Sequence, residues 1–317
     1  MTFAPQRELT IRPITGPEEL GLFTRLSYML DDELADDLAS GRRHPGWMWV
    51  ALRGDRLVAR LAWWSRPGDA APFLLDVFDL AEATGGSDAV EDGVRLLRTA
   101  MAQVLRDGAR PPEYLRYLPP RWRQDPAARS VVETRVTALE RTGARLFVER
   151  LRLEWRPGTD IPAPTGRLVF RPVAGRDELV DLMTEVLRGT LDAHGREELT
   201  RMSAREAAVR QYEEELAGYQ SPRDWWRVAT LPGGDPVGFV IPAHNSYNPI
   251  IAYIGVVPGR RGNGHVDEIL AEGTRILAAE GVPRVRASTD VGNVPMARAF
   301  QRAGYAEIGR EIDYTWT

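Results

Sequence analysis

The chain repeats itself. Residues 9–20 (LTIRPITGPEEL) return as residues 168–179 (LVFRPVAGRDEL), an offset of 159. Residues 138–143 (ALERTG), with Trp155 twelve residues on, return as residues 299–304 (AFQRAG), with Trp316 twelve on, an offset of 161. Two matches at nearly one offset point to a duplicated unit. Between them, residues 47–58 (WMWVALRGDRLV) and 225–237 (WWRVATLPGGDPV) each read as strand, Gly/Asp turn, strand, so each half carries a hairpin in the same place. Residues 156–166 (RPGTDIPAPTG) hold three prolines and two glycines after a strand and before the second repeat, which marks the join. The expected domains are 1–160 and 167–317. In each half the expected order of elements is strand, helix, helix, hairpin, strand, helix, strand, helix, strands. That order predicts an α/β (α+β) fold: two tandem domains, each a central mixed, mostly antiparallel sheet flanked by helices.

A chain of 317 residues with 43% hydrophobic content can bury a core in each half. No run reaches the eighteen or so consecutive apolar residues of a membrane span, and the first residues lack a basic segment followed by an apolar one. The expectation is a soluble, cytoplasmic protein with no membrane partner, monomeric or homodimeric. A net charge of −4 argues against a nucleic-acid partner, whose affinity rests on many cationic contacts. Cysteine is absent, which removes disulfides, thiolate metal ligands and a cysteine acyl-enzyme. Lysine is absent as well, so all 41 basic side chains are arginines and a Schiff-base lysine is excluded. Four histidines without ligand spacing predict no metal site.

The second half holds the most specific motif. Residues 250–257 (IIAYIGVV) are a continuous apolar run of strand length, expected to be a buried central strand. It leads into Pro258, Gly259, Arg260, Arg261, Gly262, Asn263 and Gly264, after which Val266, Ile269, Leu270, Gly273, Ile276 and Leu277 recur at helical spacing. Glycines at 262 and 264 let the backbone turn tightly, so that unpaired amides at the helix start can face phosphate oxygens, with Arg260 and Arg261 adding positive charge. Farther on come a strand at 285–289, Asn293, a helix from Pro295 to Ala303, and a stop at Gly304. Asn293 reads as the N-cap of that helix.

These residues resemble the GNAT acetyltransferases. Val257, Pro258, Arg261, Gly262 and Gly264 fall on the positions with which that family binds the pyrophosphate of acetyl-CoA, and Val266 departs from its usual glycine or alanine. The resemblance covers about the last 70 residues. It implies acetyl-CoA, or another short acyl-CoA, as co-substrate, held by Val256, Val257, Arg260, Arg261, Gly262, Asn263, Gly264, His265 and Val266. Asn293 falls where the family's asparagine commonly bonds the pantetheine. Seven residues after that asparagine the family carries a tyrosine, often the acid for the departing thiolate, and this chain has Phe300. A phenyl ring has no exchangeable proton, so Phe300 is expected to pack with Met296.

The first half is expected to be a degenerate GNAT-like domain. Residues 72–78 take the place of the CoA strand, but residues 79–92 contain no Arg-Gly-x-Gly, and Asp79, Glu82, Asp88, Glu91 and Asp92 would repel phosphates there. The counterpart of Asn293 is Val132.

The rest of the site has no motif. The loop at 242–249 offers His244, Asn245 and Tyr247 before the central strand; Asn and Pro there are also ordinary turn chemistry. Tyr247 is the first candidate for the proton donor, with His244 as acid or base and Asn245 as a substrate contact. Tyr253, on the strand itself, is expected in the core. Asp192 and His194 lie between two expected helices, where many GNAT proteins line the acceptor, and Ser203 with Glu206 forms a capping box for the second of them. The reading that results is transfer of an acyl group from CoA to a small-molecule amine. A mycothiol-synthase-like acetyltransferase and a non-catalytic acyl-CoA sensor are the alternatives.

Overall fold

The computed structural model describes residues 8–81, 86–106 and 108–316. The first repeat folds as β1 (Leu9–Pro13), α1 (Leu20–Phe23), α2 (Leu34–Ala39), the hairpin β2 (Met48–Arg53) and β3 (Arg56–Trp64), β4 (Leu74–Leu80), α3 (Gly86–Val104), β5 (Glu113–Leu118), α4 (Pro126–Glu140) and β6 (Ala144–Trp155). The second folds as β7 (Val169–Pro172), α5 (Arg176–Leu187), α6 (Ala193–Glu198), α7 (Ala204–Glu214), β8 (Arg227–Thr230), β9 (Pro236–His244), β10 (Pro249–Val256), α8 (His265–Ala279), β11 (Val285–Asp290), α9 (Val294–Arg302) and β12 (Ala306–Trp316). The first repeat's β1 to β4 pair antiparallel in order and β5 lies parallel to β4. The second copies this with β7 to β10 antiparallel and β11 parallel to β10.

The compact units do not follow the sequence join. They comprise Met1–Val148 with Glu311–Thr317, and Glu149–Arg310. Each repeat therefore gives the end of its last strand to the other unit. Residues 150–155 of β6 pair antiparallel with β11, and Trp155 is buried in the core of the second unit with Val285, Phe300 and Tyr305. The end of β12 lies in the first unit, where Tyr314 meets Tyr114 of β5 edge-on and Trp316 is buried with Leu139 and Ala144. The expected boundary at 160–167 marks the repeat in the chain, whereas burial of these strands divides the units at 148 and 310.

The repeat preserves one ion pair in chemical detail. Arg12 grips Glu19 with two nitrogens, at 2.7 and 2.6 Å, while the Thr15 amide donates to the same carboxylate at 2.8 Å. At the offset of 159, Arg171 grips Glu178 and the Ala174 amide donates to it at 2.7 Å. Each pair fixes the turn from the first strand of its repeat into the helix that follows. Arg12 and then the Thr15 amide hold the Glu19 carboxyl down at about 2, and Arg171 lowers that of Glu178 in the same way. A depressed carboxyl stabilises the fold above its ordinary range, and the contribution is lost as pH falls from about 4.5 toward about 2. Glu19→Gln is therefore expected to flatten the acid limb of the urea midpoint against pH across that window. Both partners are partly exposed, so the loss should stay near 1 kcal/mol or below.

Candidate functional site

The site grows from β10. This strand pairs with β9 along its length except at one place, where Ile251 faces Pro242 and Tyr253 faces Ile241, leaving Ala252 as the extra residue of a bulge. The bulge sends two consecutive side chains to one face. Ala252 and Tyr253 both pack against the α5–α7 cluster, whereas Ile251, Ile254 and Val256 pack against the α8–α9 cluster. On its other edge β10 meets β11 at a single level, Ile250 opposite Arg286. Beyond it the two parallel strands pair no further among the described residues, so the β10 edge faces a slot running from the bulge to the loop after Val256. An extended ligand carrying amides can complete such an edge as a strand would.

The slot ends at the glycine loop. Gly262 and Gly264 take φ of 80° and 73°, the left-handed region that favours glycine. A β-carbon at either would meet nothing within 4 Å, so both face open space. Helix α8 begins at His265 with no side-chain cap. Among the described residues no acceptor meets the amides of Gly262, Asn263, Gly264, His265 or Val266. A run of unpaired amides at a fifteen-residue helix's N-terminus is suited to a pyrophosphate. The acidic residues of the first helical turn do not cancel this, because Asp267 is paired with Arg302 and Glu268 with Arg167. Arg167, which also reaches the Asn263 carbonyl at 3.4 Å, carries no signal in the sequence pattern.

The two loop arginines do different work from that expected. Arg260 pairs with Asp235 at 3.0 Å. Arg261 turns its guanidinium onto four backbone carbonyls, those of Val256 (3.0 Å), Val186 (2.7 Å), Arg188 (3.0 Å) and Gly189 (3.0 Å). It thus satisfies the orphan carbonyls at the end of α5 and ties that helix to the end of β10. Gly255 makes the same contact possible from the strand, since a β-carbon there would stand 2.6 Å from Val186 Cγ1. Among the described residues no carboxylate pairs with Arg261, so its charge is met by dipoles and remains felt beside the loop.

No family model matches the chain, and no curated protein matches it. Among solved structures, a GCN5-related N-acetyltransferase from Sphaerobacter thermophilus is 16% identical and superposes with a TM-score of 0.60, over 99% of this chain and 96% of that one. A tandem GNAT protein from the clavulanic acid biosynthesis pathway is 17% identical, with a TM-score of 0.51, over 97% and 98%. The fold is the tandem GNAT fold. A glucosamine N-acetyltransferase region in a fungal multi-domain β-N-acetylglucosaminidase is similar too, at 15% identity and a TM-score of 0.60, covering 98% of this chain and 38% of that one.

Within this GNAT fold the remaining expected residues scatter. Asn293 caps α9, accepting from the Met296 amide at 3.4 Å, with Pro295 in the first turn. Phe300 is buried at 1% exposure and packs edge-on against Tyr305, whose hydroxyl lies 2.8 Å from Thr274 Oγ1. Asp192 and His194 are not in a plain loop: Asp192 is the N-cap of α6, accepting from the Gly195 amide at 2.7 Å, and His194 lies in that helix's first turn. The capping box of Ser203 and Glu206 is present at the start of α7. Asn245 accepts from the Tyr247 and Asn248 amides, which makes its loop an Asx turn, and the His244 ring lies against Trp225 at 5.6 Å. His244, Asn245 and Tyr247 precede the closed end of the slot, and about 10 Å of strand, Pro249 to Ala252, lies between their turn and the bulge. The turn and the glycine loop lie at opposite ends of β10.

Tyr253 is nearer. Its ring meets Phe239 edge-on at 5.0 Å on the α5–α7 face. Burial raises its pKa, and the carboxylates of Asp192, Glu215 and Glu198 raise it further. Burial also raises Glu198 and Asp290, the latter helped by Asp192. Asp290, at the end of β11, accepts from the Ala193 amide at 2.6 Å and pairs with Arg150 at 3.2 Å.

The first unit has a slot of the same origin, and it is sealed. Among the described residues β4 and β5 pair at two levels, Leu74 with Glu113 and Leu75 with Tyr114. Beyond them Arg135 of α4 donates to the Phe78 carbonyl at 3.1 Å and to Asp79 at 3.0 Å, and Arg116 of β5 reaches Asp79 at 2.9 Å. At the offset of 161 the counterpart of Arg135 is Met296, which carries no charge. This corrects the repulsion expected from Asp79, Glu91 and Asp92. β4 runs to Leu80, so Asp79 lies in the strand and is neutralised by arginines, while Asp92 pairs with Arg53 and Glu91 with Arg141. Glu82 lies outside the described residues.

Among the described residues no helix is long and apolar enough to cross a membrane.

Proposed function

We propose that the chain is an acyl-CoA-dependent acyltransferase that moves an acetyl or similar short acyl group directly to the amine of a small molecule. The observation that carries this reading is the slot: a bulged central strand, splayed from its parallel neighbour, that opens onto five unpaired amides at a helix start. Pyrophosphate fits the amides, and the two amide groups of the pantetheine arm fit the free strand edge. That arm matches about four or five residues of extended chain, roughly 15 Å, which brings the thioester to the bulge. The sealed slot of the first unit supports one such site per chain.

The carboxyls of Asp192, Glu198 and Asp290 on the face of Tyr253 favour a cationic amine over an anionic acceptor. Burial keeps Glu198 and Asp290 nearer the neutral range, where a general base is most effective. The sensor reading draws on one observation, the buried phenyl ring of Phe300. Turnover separates the two. Because the chain has no cysteine, a thiol reagent reads only released CoA. Acetyl-CoA with a panel of primary amines should give thiol release above the hydrolysis rate; tight CoA binding with no release from amines, alcohols or thiols would leave the sensor reading.

The phenol on the bulge replaces the one in the turn as the donor of choice. Tyr253→Phe should lower kcat by about 10-fold or more, and Tyr247→Phe should leave it within about threefold, with CoA affinity kept in both. The reverse order of effects would return the role to Tyr247.

A further inference from the structure

Ser288 has a hydroxyl with nothing to do. Its Oγ is buried and, among the described residues, has no hydrogen-bond partner. A buried hydroxyl without a partner is costly, so native structures keep few of them, and those few commonly meet a ligand or a water. The surroundings say which.

Ser288 lies on β11, two residues past Arg286, the last residue of that strand level with β10. The equivalent step along β10 from Ile250 reaches Ala252, the bulge. Side chains two apart on a strand share a face, so Ser288 is on the face of Arg286 and Asp290. Asp290 accepts from the Ala193 amide at the start of α6, which fixes that face as the one toward α6. Ala252 and Tyr253 project to the same side of the sheet, while Ala287, one residue earlier, packs with the α8–α9 cluster. The hydroxyl therefore stands at the closed end of the slot, across from the bulge, where the proposed function brings the thioester. On α9 the position that offers a tyrosine hydroxyl in the GNAT resemblance is the buried Phe300, so that helix supplies no donor from it.

We infer that the Ser288 hydroxyl donates a hydrogen bond to the sulfur of bound CoA and stabilises the thiolate as it leaves, an inference that rests on the acyl-CoA reading above. In the step, the amine nitrogen forms a bond to the thioester carbonyl carbon and the carbon–sulfur bond breaks. Its electron pair goes to sulfur, and the proton lost from nitrogen ends on the released thiol. An alkanol is a much weaker acid than a thiol. Ser288 therefore keeps its proton and acts by hydrogen bonding, while the Tyr253 phenol delivers the proton to sulfur and regains one, through solvent, from the amine.

The test needs no acceptor. CoA is titrated in complex with wild-type protein, Ser288→Ala and Ser288→Thr, following thiolate absorbance against pH; the chain contributes no thiol of its own. A hydrogen bond to an ion is worth enough to move the bound thiol by about one pH unit. Ser288→Ala should raise the pH of thiol ionisation by that amount, Ser288→Thr should restore it, and the thermal midpoint of the ligand-free alanine variant should not fall. With an active acceptor in hand, kcat should drop about 10- to 100-fold in Ser288→Ala at unchanged acetyl-CoA affinity. Equal ionisation of CoA on wild-type and Ser288→Ala protein overturns the inference and leaves the acyl-CoA reading standing. So does a loss of CoA affinity and thermal stability in parallel, which marks a structural residue. Failure of the wild-type protein to bind CoA at all removes both.

Discussion

Gly264→Asp is expected to abolish CoA binding while leaving the protein folded. The residue sits at the start of α8 with φ of 73°, and its amide is one of five facing the mouth of the slot. Aspartate is among the few residues that tolerate left-handed backbone, so the strain should stay near 1–2 kcal/mol. Its carboxylate would then lie beside the amides that a pyrophosphate needs, as a permanent intramolecular competitor, and would repel the phosphates as well. A loss of at least 100-fold in affinity is the expected scale, with Gly264→Ala losing far less because it adds strain without charge. Calorimetry on the parent should return a stoichiometry near one, given the sealed slot of the first unit. A folded Gly264→Asp protein that binds CoA normally would mean that the anion site lies elsewhere, and two equal sites on the parent would reopen the first unit.

The largest effect on stability is expected from Asp79→Ala. Asp79 is fully buried on β4 and receives Arg60 at 2.9 Å, Arg116 at 2.9 Å and Arg135 at 3.0 Å. Burial works against its charged form, but Arg116, Arg60 and Arg135 outweigh it and hold the carboxyl below the usual range. Arg60 has Asp31 as a second partner at 2.8 Å, Arg116 lies over the Tyr28 ring, and Arg135 also donates to the Phe78 and Val131 carbonyls. Removing the carboxylate leaves buried positive charge uncompensated, which typically costs about 3–5 kcal/mol. In a unit of this size that is roughly a 10 °C fall in the unfolding midpoint. The sign with pH follows from the depressed pKa: the contribution is present above the ordinary carboxyl range and lost on acidification, so the variant should lose less than the parent as pH is lowered. Because the network also closes the β4–β5 slot, a midpoint unchanged in Asp79→Ala would count against that closure being structural.

Much of this was legible in the chain. The 159–161 offset carried the duplication, and the repeated Arg–Pro–x–x–Gly start reappears as two copies of one ion pair, Arg12 with Glu19 and Arg171 with Glu178. The apolar run before Gly262 and Gly264 was readable as strand, turn and helix start because each step uses local chemistry: apolar packing on both faces, left-handed backbone, free amides; the strand is mostly half-buried rather than buried, because its edge is open on the slot. Asn293 and Ser203 were readable as caps for the same reason. The candidates in the turn before β10 were harder to judge. His244, Asn245 and Tyr247 have suitable side chains, but the bulge at Ala252 and the single pairing level with β11 have no local pattern that reveals them.

Sequence alone therefore determined the two repeats, their order of elements, and the glycine turn before α8, since these depend on residues near one another in the chain. Tertiary structure decided three things. It decided which unit each last strand completes: Trp155 and Trp316 end strands of the same pattern, and only their burial shows that Trp155 belongs to the core of the second unit and Trp316 to that of the first. It turned Arg261 onto the carbonyls at the end of α5, some 75 residues distant in the chain, where a helix end needed donors. It also brought Arg135 and Arg116 to Asp79, and left Ser288 without a partner, because a buried charge or hydroxyl acquires its meaning only from what the folded chain sets beside it.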